Sequence, residues 1–338
     1  MISLDGSEGE GGGQNLRSAL TLSLITGQPF VIDNIRAGRS RPGLLRQHQT
    51  AVQAAAQVGN AQIDGAFIGS GRVSFTPTKV QGGSFSFSVG TAGSTTLVLQ
   101  TVLPALITAP GASTILLEGG THNPSAPPFD FLADTYLPLL ARMGPRVTVV
   151  LERPGFYPAG GGRWRVEVQP VQQLLPLVLL ERGEVQRCHA RVVVANLPRS
   201  IATRELAILV SRLGLSAENC EIEQRTDSAG PGNVVLVHVQ AENVTEVVTG
   251  FGQKNVRAES VAAEAATAVQ DHLASNVPVG PHLADQLILL AALAKGSCFR
   301  TSTPTMHAHT QLTTIERFLG RVVNGEQEAS GSWRFDSR

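Results

Sequence analysis

Cysteine and lysine are both scarce in this sequence, with three residues of each among 338. The cysteines, Cys188, Cys220 and Cys298, are too far apart to form a CxxC metal site or a disulfide framework. We therefore expect reduced, buried thiols. The shortage of lysine leaves 24 of the 27 basic residues as arginine, which suits bidentate contacts to phosphates better than lysine does.

Long apolar runs and a net charge of either sign are also missing. No run of about 18 apolar residues exists, so no membrane-spanning helix is predicted. The 27 basic and 27 acidic residues balance, which argues against a broad polyanion-binding surface but not against a local anion pocket. The first residues, Met1 to Asp5, show neither the basic nor the apolar part of a secretory signal, so we expect a cytoplasmic location.

Three glycine- or proline-rich loops each lead into an apolar helix that ends near a glycine and is followed by a β-rich run. The predicted helices are Asn15 to Thr26, Thr95 to Thr108 and Leu283 to Lys295, with two more over Leu44 to Val58 and near Phe129 to Met143. Glycine or proline before a helix and glycine after it are typical boundary residues. We predict an α+β fold with three repeated ββαβα-type units, sheets on one side and helices on the other.

The third of these units is interrupted. Its strand is expected at Arg163 to Gln169, where apolar and polar residues alternate, and its helix follows more than a hundred residues later. The intervening stretch has helix and strand patterns of its own and the size of an independent domain. We expect residues 1–178 and 275–338 to form a large domain and residues 179–274 to form a smaller inserted α/β domain.

The most conspicuous loop is Gly9-Glu10-Gly11-Gly12-Gly13-Gln14. Its glycines allow a ligand to approach the backbone closely, and the N-terminus of the following helix attracts anions. The loop is neither a GxxxxGK(S/T) P-loop nor a GxGxxG loop, because position 14 is Gln. A tight turn is the alternative interpretation. A carboxylate such as Glu10 beside bound phosphate is favourable only with a divalent cation between them, which favours a functional role.

Four arginines fall within the eleven positions from Arg36 to Arg46. A run of arginines is often a solvated basic face. Here Gly38 and Pro42 interrupt helical spacing, which favours a loop on which the guanidinium groups can converge on phosphate.

The loop from Gly119 to Asp130 is rigid and rich in proline. Pro128 and Phe129 within it offer a flat apolar surface to a nucleotide base. An ordinary connection between elements explains the same residues equally well.

The run from Thr303 to Gln311 contains His307 and His309. An HxH pair on a strand points both imidazoles to one face, and a third ligand from elsewhere could complete a zinc site. No nearby Cys, Asp or Glu supplies it, since Glu316 is expected on the next helix, and a structural histidine is the alternative.

No lysine of the sequence lies in a KxDG motif, in which many enzymes that activate nucleic-acid ends carry AMP. Covalent nucleotidyl chemistry would therefore need another nucleophile, and histidine is the obvious candidate.

Together these motifs resemble those of the RNA 3′-terminal phosphate cyclases, in particular the ATP-dependent bacterial and archaeal enzymes. The resemblance runs from Ile2 to about Leu319, and the last ~20 residues are assigned no role. The strings that carry it include Leu4-Asp5-Gly6, Gly9-Glu10-Gly11-Gly12-Gly13-Gln14, Arg36-Ala37-Gly38-Arg39, Pro42-Gly43-Leu44-Leu45-Arg46-Gln47-His48, Asn123-Pro124-Ser125-Ala126-Pro127-Pro128 and Leu283-Ala284-Asp285-Gln286.

The resemblance implies the fold predicted above and a reaction in three steps. A histidine attacks the α-phosphorus of ATP and forms a histidyl–AMP phosphoramidate. AMP then passes to the 3′-terminal phosphate of an RNA, giving RNA-(3′)pp(5′)A. The vicinal 2′-hydroxyl finally attacks the 3′-phosphorus, expels AMP and leaves a 2′,3′-cyclic phosphate. The cofactors implied are ATP and a divalent metal, Mg²⁺ or Mn²⁺.

By the same resemblance His307 is the nucleophile, because it lies eight residues after Phe299 and nine before Glu316, whereas His309 would only help to orient phosphate or RNA. The metal is assigned to Glu10. His282 stands where a tyrosine is expected, so its smaller ring should stack less well on adenine. The residues assigned to ATP are Gln100, Pro128, His282, Leu283, Ala284, Asp285 and Gln286, and those assigned to the phosphate and the RNA end are Arg17, Arg36, Arg39, Arg46, Gln47 and His48.

Two other classes of function stay open at this stage. A non-catalytic ribosome-assembly scaffold of the same family is expected to lack the nucleophilic histidine, and an enolpyruvyl transferase would share the repeated architecture but need no covalent nucleotide. The physiological RNA, the preferred metal and the oligomeric state, for which a homodimer is one alternative, are not fixed by the sequence.

Overall fold

Four mixed β-sheets and the helices that cover them make up the structure, a computed structural model that describes residues 1–338. The α+β class predicted from the sequence is confirmed. The helices are α1 (Gln14–Thr26), α2 (Arg46–Val58), α3 (Thr95–Leu106), α4 (Phe129–Phe131), α5 (Leu137–Arg142), α6 (Arg199–Leu213), α7 (Ala258–Ser275), α8 (Pro281–Leu293) and α9 (Met306–Leu319), with a π-helical turn at Leu132–Tyr136 between α4 and α5.

The strands form four sheets of four strands each. They are β1 (Ile2–Asp5), β2 (Phe30–Asp33), β3 (Gln62–Asp64) and β4 (Val73–Thr76) in the first sheet; β5 (Ser84–Ser88), β6 (Ser113–Gly119), β7 (Arg146–Arg153) and β8 (Gly162–Gln169) in the second; β9 (Val178–Leu179), β14 (Cys298–Thr301), β15 (Val323–Gln327) and β16 (Trp333–Ser337) in the third; and β10 (Val185–Ala195), β11 (Cys220–Arg225), β12 (Gly232–Ala241) and β13 (Thr245–Phe251) in the fourth.

The first three sheets share one topology. Counting strands along the chain within each sheet, the spatial order is first, second, fourth, third. The first pair is parallel and the other two pairs are antiparallel in all three. In the first two sheets helical segments connect the parallel strands, as a parallel pair requires, and the elements run βαβαββ along the chain. In the third sheet the fourth sheet with α6 and α7 is inserted between β9 and α8, the helix that leads to β14. The threefold repeat as a unit stays a prediction, and the phase of ββαβα assigned to it differs from this order.

The strand Arg163 to Gln169 was assigned to the third unit, and this assignment is wrong. β8 lies in the second sheet between β6 and β7, and it pairs antiparallel with both. Its alternation places Trp164 in the core, where the indole Nε1 donates to Oγ1 of Thr95 at 2.8 Å. The third sheet instead begins with β9, whose two residues are too few to show alternation.

Helix α1 lies at the centre of the helical layer and packs against α2, α3 and α9. Its residues Leu16, Leu20 and Leu24 are buried in a single large apolar cluster shared with the inner faces of the sheets. The helix ends at Gly27, whose φ of 70° is the left-handed conformation in which glycine carries no penalty. This burial fixes the position of the loop that precedes α1.

The fourth sheet with α6 and α7, which we call the small lobe, carries its own apolar cluster. One face of β12 packs against the two helices through Val235 and Val237, while Val234 and Leu236 on the other face join the main core. A strand covered on both faces is expected to contain a continuous apolar run, as β12 does from Val234 to Val237. The domain boundaries at 178/179 and 274/275 stay predictions.

Polar contacts tie the small lobe to the helical segment that begins at Phe129. Arg191 of β10 pairs with Asp130, and Nε2 of His238 in β12 lies 2.9 Å from Oδ2 of Asp134. Asp130 also accepts from Nε2 of His122 at 2.8 Å. Burial would raise the pKa of Asp130, but His122 and Arg191 outweigh it and hold this pKa at about 2.

No helix of the structure combines the length and apolarity that crossing a bilayer requires.

Candidate active site

The N-termini of α1, α2, α3, α8 and α9 lie on one side of the large body, which consists of the first three sheets with α1 to α5, α8 and α9. Side-chain contacts link them: His48 at the start of α2 lies against Gly13 before α1, Gln47 accepts from the backbone N–H of Ser94 before α3, and Asp285 of α8 accepts from Thr305 before α9. Helix N-termini present free N–H groups and the positive end of the helix dipole. Their convergence makes this side of the molecule suited to anions.

The glycine-rich loop packs closely against its neighbours at Gly9 and Gly13. A Cβ at Gly13 would collide with Nε2 of His48 and lie 2.7 Å from Nη1 of Arg17. Gly9 has a φ of 66°, and a Cβ there would collide with Oγ1 of Thr310 in α9. The same hydroxyl accepts from the backbone N–H of Glu10 at 2.9 Å, so the loop is fixed against α9.

His307 lies in the first turn of α9. The hydroxyl of Thr305 caps this helix by accepting from the backbone N–H groups of His307 and Ala308 at 3.0 and 3.3 Å. Nδ1 of His307 is buried without a hydrogen-bond partner and lies 3.9 Å from Oε2 of Glu10. Burial and the positive charge of Arg17 lower the pKa of His307, so its ring is neutral and able to act as a nucleophile near pH 7.

The prediction that His307 and His309 share one face of a strand is wrong, because both lie on helix α9 together with Glu316. Residues two apart on a helix are about 200° apart around its axis. His309 accordingly lines a separate small cavity beside Asp5 and Thr313, away from His307. The two imidazoles therefore do not act on the same ligand atom.

A cavity of about 610 Å³ opens between the large body and the small lobe. Its size is that of a nucleotide or drug-like ligand. The large body contributes, among others, Gln14, Arg17, Pro124 to Pro128, Phe131, Gly280 to His282, Asp285, Gln286, Ser302 and His307, and the small lobe contributes residues of β13 from Glu246 to Phe251 and of α7 from Ala268 to Ser275.

Two carboxyl groups in the wall of this cavity are strongly perturbed. Burial raises the pKa of Asp285 to about 7 although Oδ1 accepts from Oγ1 of Thr305 at 2.7 Å. Burial also raises the pKa of Glu246 to about 7, with the backbone N–H of Gly280 as its hydrogen-bond donor. Arg17, in contrast, stays cationic, because burial lowers its pKa only to about 10. Perturbed acids in a cavity are typical of ligand sites.

Comparisons with known proteins agree with this geometry. The family model described as RNA 3′-terminal phosphate cyclase matches residues 8–324. The chain belongs to the RNA 3′-terminal phosphate cyclase family. A curated relative, the RNA 3′-terminal phosphate cyclase of Koribacter versatilis (strain Ellin345), is 53% identical over 319 residues, which cover 94% of this chain and 90% of that protein. The chain is therefore an enzyme of the cyclase family.

A solved structure, the enolpyruvyl transferase NikO from Streptomyces tendae, aligns with a TM-score of 0.38 and 13% identity. The alignment covers all of this chain and 48% of that one, so the chain spans about half the length of this structural neighbour.

For a cyclase-family member, most residues assigned to the nucleotide lie at the cavity. Pro128, His282, Asp285, Gln286 and His307 line it directly. Gln100 lies behind Gln286, to whose Oε1 its amide donates. The side chains of Leu283 and Ala284 are fully buried in the core on the opposite face of α8, so contact with a ligand would be limited to their backbone.

The residues assigned to phosphate and RNA fall into two groups. Arg17, Arg36, Gln47 and His48 are buried or half-buried, whereas Arg39 and Arg46 are exposed. Arg17 and His48 lie together around Gly13, and burial with the charge of Arg17 lowers the pKa of His48 to about 3, so this imidazole is neutral. The side-chain oxygen of Gln47 accepts a hydrogen bond from the backbone N–H of Ser94. Arg36 donates to the carbonyls of Arg41 and Gly43 and so shapes its own loop.

Arg39 and Arg46 are exposed, and Arg39 pairs with Glu10 through its guanidinium, which also donates to the Glu10 carbonyl at 3.0 Å. Glu10 is the one carboxylate assigned to the metal. No group of three or more His, Cys, Asp or Glu side chains is arranged to hold a metal by itself. Hard carboxylate oxygens suit Mg²⁺ or Mn²⁺, and Mg²⁺ commonly takes one or two carboxylates together with substrate phosphates. Glu10 beside the anion site fits that mode.

Sequence reasoning missed Thr305, Gln14 and Glu246. Thr305 precedes a run in which the apolar residues Ala308, Ile315 and Phe318 recur at helical spacing. A threonine in this place is a helix N-cap signal that could have revealed α9. Gln14 accepts from Arg17 at 2.9 Å and was visible in the glycine loop. Glu246 has no local signal, because only the packing of the small lobe brings it to the cavity.

Proposed function

We propose that this protein uses ATP to convert the 3′-terminal phosphate of an RNA into a 2′,3′-cyclic phosphate. The single observation that supports this most strongly is the position of His307. It lies in the first turn of α9, close to the cationic Arg17, and it lines the 610 Å³ cavity. Family membership supports the same reaction. ATP, the histidyl–AMP intermediate and the roles of the individual residues are part of the proposal.

In the first step an imidazole nitrogen of His307 attacks the α-phosphorus of ATP, a P–N bond forms, and the bond to the departing pyrophosphate breaks. The low pKa of His307 keeps a lone pair available near pH 7. Arg17 and the N-terminus of α9 face the negative charge that grows on the phosphorus oxygens. A divalent cation held by Glu10 would screen the charge of the triphosphate.

In the second step an oxygen of the RNA 3′-phosphate attacks the same phosphorus, and His307 recovers its lone pair as the P–N bond breaks. The exposed side chains of Arg39 and Arg46 would bind the RNA end, while Arg36 supports the loop that carries Arg39. The 2′-hydroxyl then attacks the 3′-phosphorus and AMP leaves. This attack closes a five-membered ring, so the proximity of the two groups supplies much of the barrier reduction.

The test is covalent labelling with α-labelled ATP and Mg²⁺, followed by end-group analysis of a short 3′-phosphorylated RNA. We expect the parent to retain label and to produce cyclic ends, and His307→Ala to do neither. His309→Ala is the matched control, because His309 lies on another face of α9. It should keep most of the label. Full labelling of His307→Ala, or a cyclic product from a 2′-deoxy end, would refute the proposal.

We further propose that the enzyme works in the cytoplasm on RNA ends. The division into a large domain (1–178 and 275–338) and an inserted domain (179–274), and the oligomeric state, including the homodimer alternative, stay predictions.

A further inference from the structure

Glu246 presents one carboxyl oxygen to the protein and leaves the other free. The residue lies on β13, is only 5% exposed and lines the 610 Å³ cavity. Its Oε2 accepts from the backbone N–H of Gly280, the residue before α8, at 2.9 Å. Oε1 has no hydrogen-bond partner within the protein, although it is not sealed from the cavity. This oxygen can therefore accept a hydrogen bond from a ligand.

No cation compensates this buried acid. Glu246 forms no ion pair, and burial alone raises its pKa to about 7. A buried carboxyl group without a charged partner is unfavourable unless it is protonated or hydrogen-bonded. The cationic residue of the cavity, Arg17, belongs to α1 and lies with His307. Glu246 thus lies at one end of the cavity, and Arg17 with His307 lies at the other.

Apolar side chains flank Glu246, although Thr249, Asp271 and His272 also line the small-lobe side of the cavity. Val248 and Phe251 of β13 lie on its small-lobe side, and Pro128 and Phe131 lie on the large-body side. Apolar walls that carry a few polar groups are typical of small-molecule sites, and the polar groups fix the identity and orientation of the ligand. A phosphate, by contrast, would be repelled by Glu246.

Helix α8 sets the spacing between the two ends. Glu246 contacts its N-cap, Gly280, while Asp285 lies five residues along and is joined through Thr305 to the turn that carries His307. At about 1.5 Å per residue, five residues span about 7–8 Å. A nucleotide whose phosphate reaches His307 would therefore place its base towards Glu246.

We infer that Glu246 selects the nucleotide base: its free carboxyl oxygen accepts a hydrogen bond from the exocyclic amino group of adenine and repels the carbonyl oxygen that hypoxanthine carries at that position. The inference rests on the proposed function, because it takes ATP as the nucleotide. It assigns Glu246 a specificity role in addition to its contact with α8.

The test compares three labelled nucleotides in one protein: ATP, purine riboside triphosphate, which lacks the amino group, and ITP. The measurement is the second-order rate constant of covalent labelling. A hydrogen bond to a charged group corresponds to roughly a tenfold to hundredfold preference, which we expect the parent to show for ATP over purine riboside triphosphate. In Glu246→Ala the ratio should fall close to one. In Glu246→Gln the amide oxygen can keep the Gly280 contact while the amide nitrogen donates to ITP, so ITP should gain on ATP.

Ratios measured within one protein cancel any loss of folded enzyme. The matched control is Glu205→Gln, since Glu205 is also fully buried with a pKa raised to about 7 by burial but lies outside the cavity. It should keep the parent ratios. If the Glu246 variants lose activity equally on all three nucleotides, the role is structural and the inference is wrong. If the parent takes no label from any nucleotide, the proposed function fails as well.

Discussion

The hydroxyl of Thr305 joins two helices of the site, since it donates to Oδ1 of Asp285 in α8 at 2.7 Å and accepts from the backbone N–H of His307 in α9 at 3.0 Å. The acceptor role caps α9, and the donor role partly compensates the buried carboxyl of Asp285. The orientation of His307 is thus tied to the wall of the cavity by a single side chain.

Thr305→Val removes this hydroxyl while keeping the shape of the side chain. Loss of a helix N-cap lowers the free energy of unfolding by about 1 kcal/mol. We also expect covalent labelling from ATP to slow by about tenfold, because a misplaced reacting group raises the barrier. Thermal unfolding and labelling rates measure the two effects. Thr305→Ser keeps the hydroxyl and should restore both; a Ser variant as impaired as Val would contradict this role.

Arg39→Ala should change the pH dependence of labelling. The positive charge of Arg39 is one cause of the low pKa of His307, after burial, Arg17 and His282. Removing a positive charge raises the pKa of a nearby histidine, so the imidazole protonates at higher pH and the acidic limb of the rate profile moves to higher pH. Arg41→Ala, an exposed neighbour in the same loop, should leave the limb in place. A shift in the opposite direction for Arg39→Ala would exclude this electrostatic coupling.

Glu10→Ala tests the metal assignment. We expect the rate of AMP transfer to fall by about one to two orders of magnitude at a fixed Mg²⁺ concentration and to recover in part at higher Mg²⁺, as happens when a metal-positioning group is lost. The measurement is a magnesium titration of the labelling rate. Glu8→Ala removes an exposed carboxylate from the same loop and is the control. Parent-like rates for Glu10→Ala at every magnesium concentration would show that Glu10 has no metal role.

Glu205 should make stability depend on pH. Burial raises its pKa in the folded state to about 7, above the ordinary value of 4.5, and Oε1 has no hydrogen-bond partner. Between these values the folded state holds a proton that the unfolded state has lost, so the contribution is complete below about pH 4.5 and is lost as the pH rises through 7. The loss is at most ~3 kcal/mol.

Glu205→Gln removes this titration, because the amide does not ionise. We expect its melting temperature to fall less than that of the parent between pH 5 and pH 8. Asp271→Asn, an exposed acid on α7, should follow the parent. Parallel curves for Glu205→Gln and the parent would contradict the raised pKa.

The sequence was sufficient to predict the helices bounded by glycine and the loops that carry the site. Gly27, for example, both ends the predicted helix and adopts the conformation that glycine favours there. It did not identify β9, whose two residues pair with β14 more than a hundred residues further along the chain. The helix at His307 was missed because alternation at His307 and His309 outweighed the cap at Thr305. Glu246 could not be found, since tertiary packing alone brings it to the site.

The cavity between the large body and the small lobe also bears on how this architecture can be re-engineered. Because the small lobe has its own sheet and apolar cluster, it resembles a module that could be deleted or exchanged between relatives. The small lobe, however, forms one wall of the cavity from Glu246 to Phe251, and it covers part of the main core through Val234 and Leu236. If the cavity holds the nucleotide as proposed, a chimaera that receives the lobe of a relative would also take on that relative's nucleotide preference. A chain shortened by deletion would expose apolar surface and lose about a third of the residues that line the cavity.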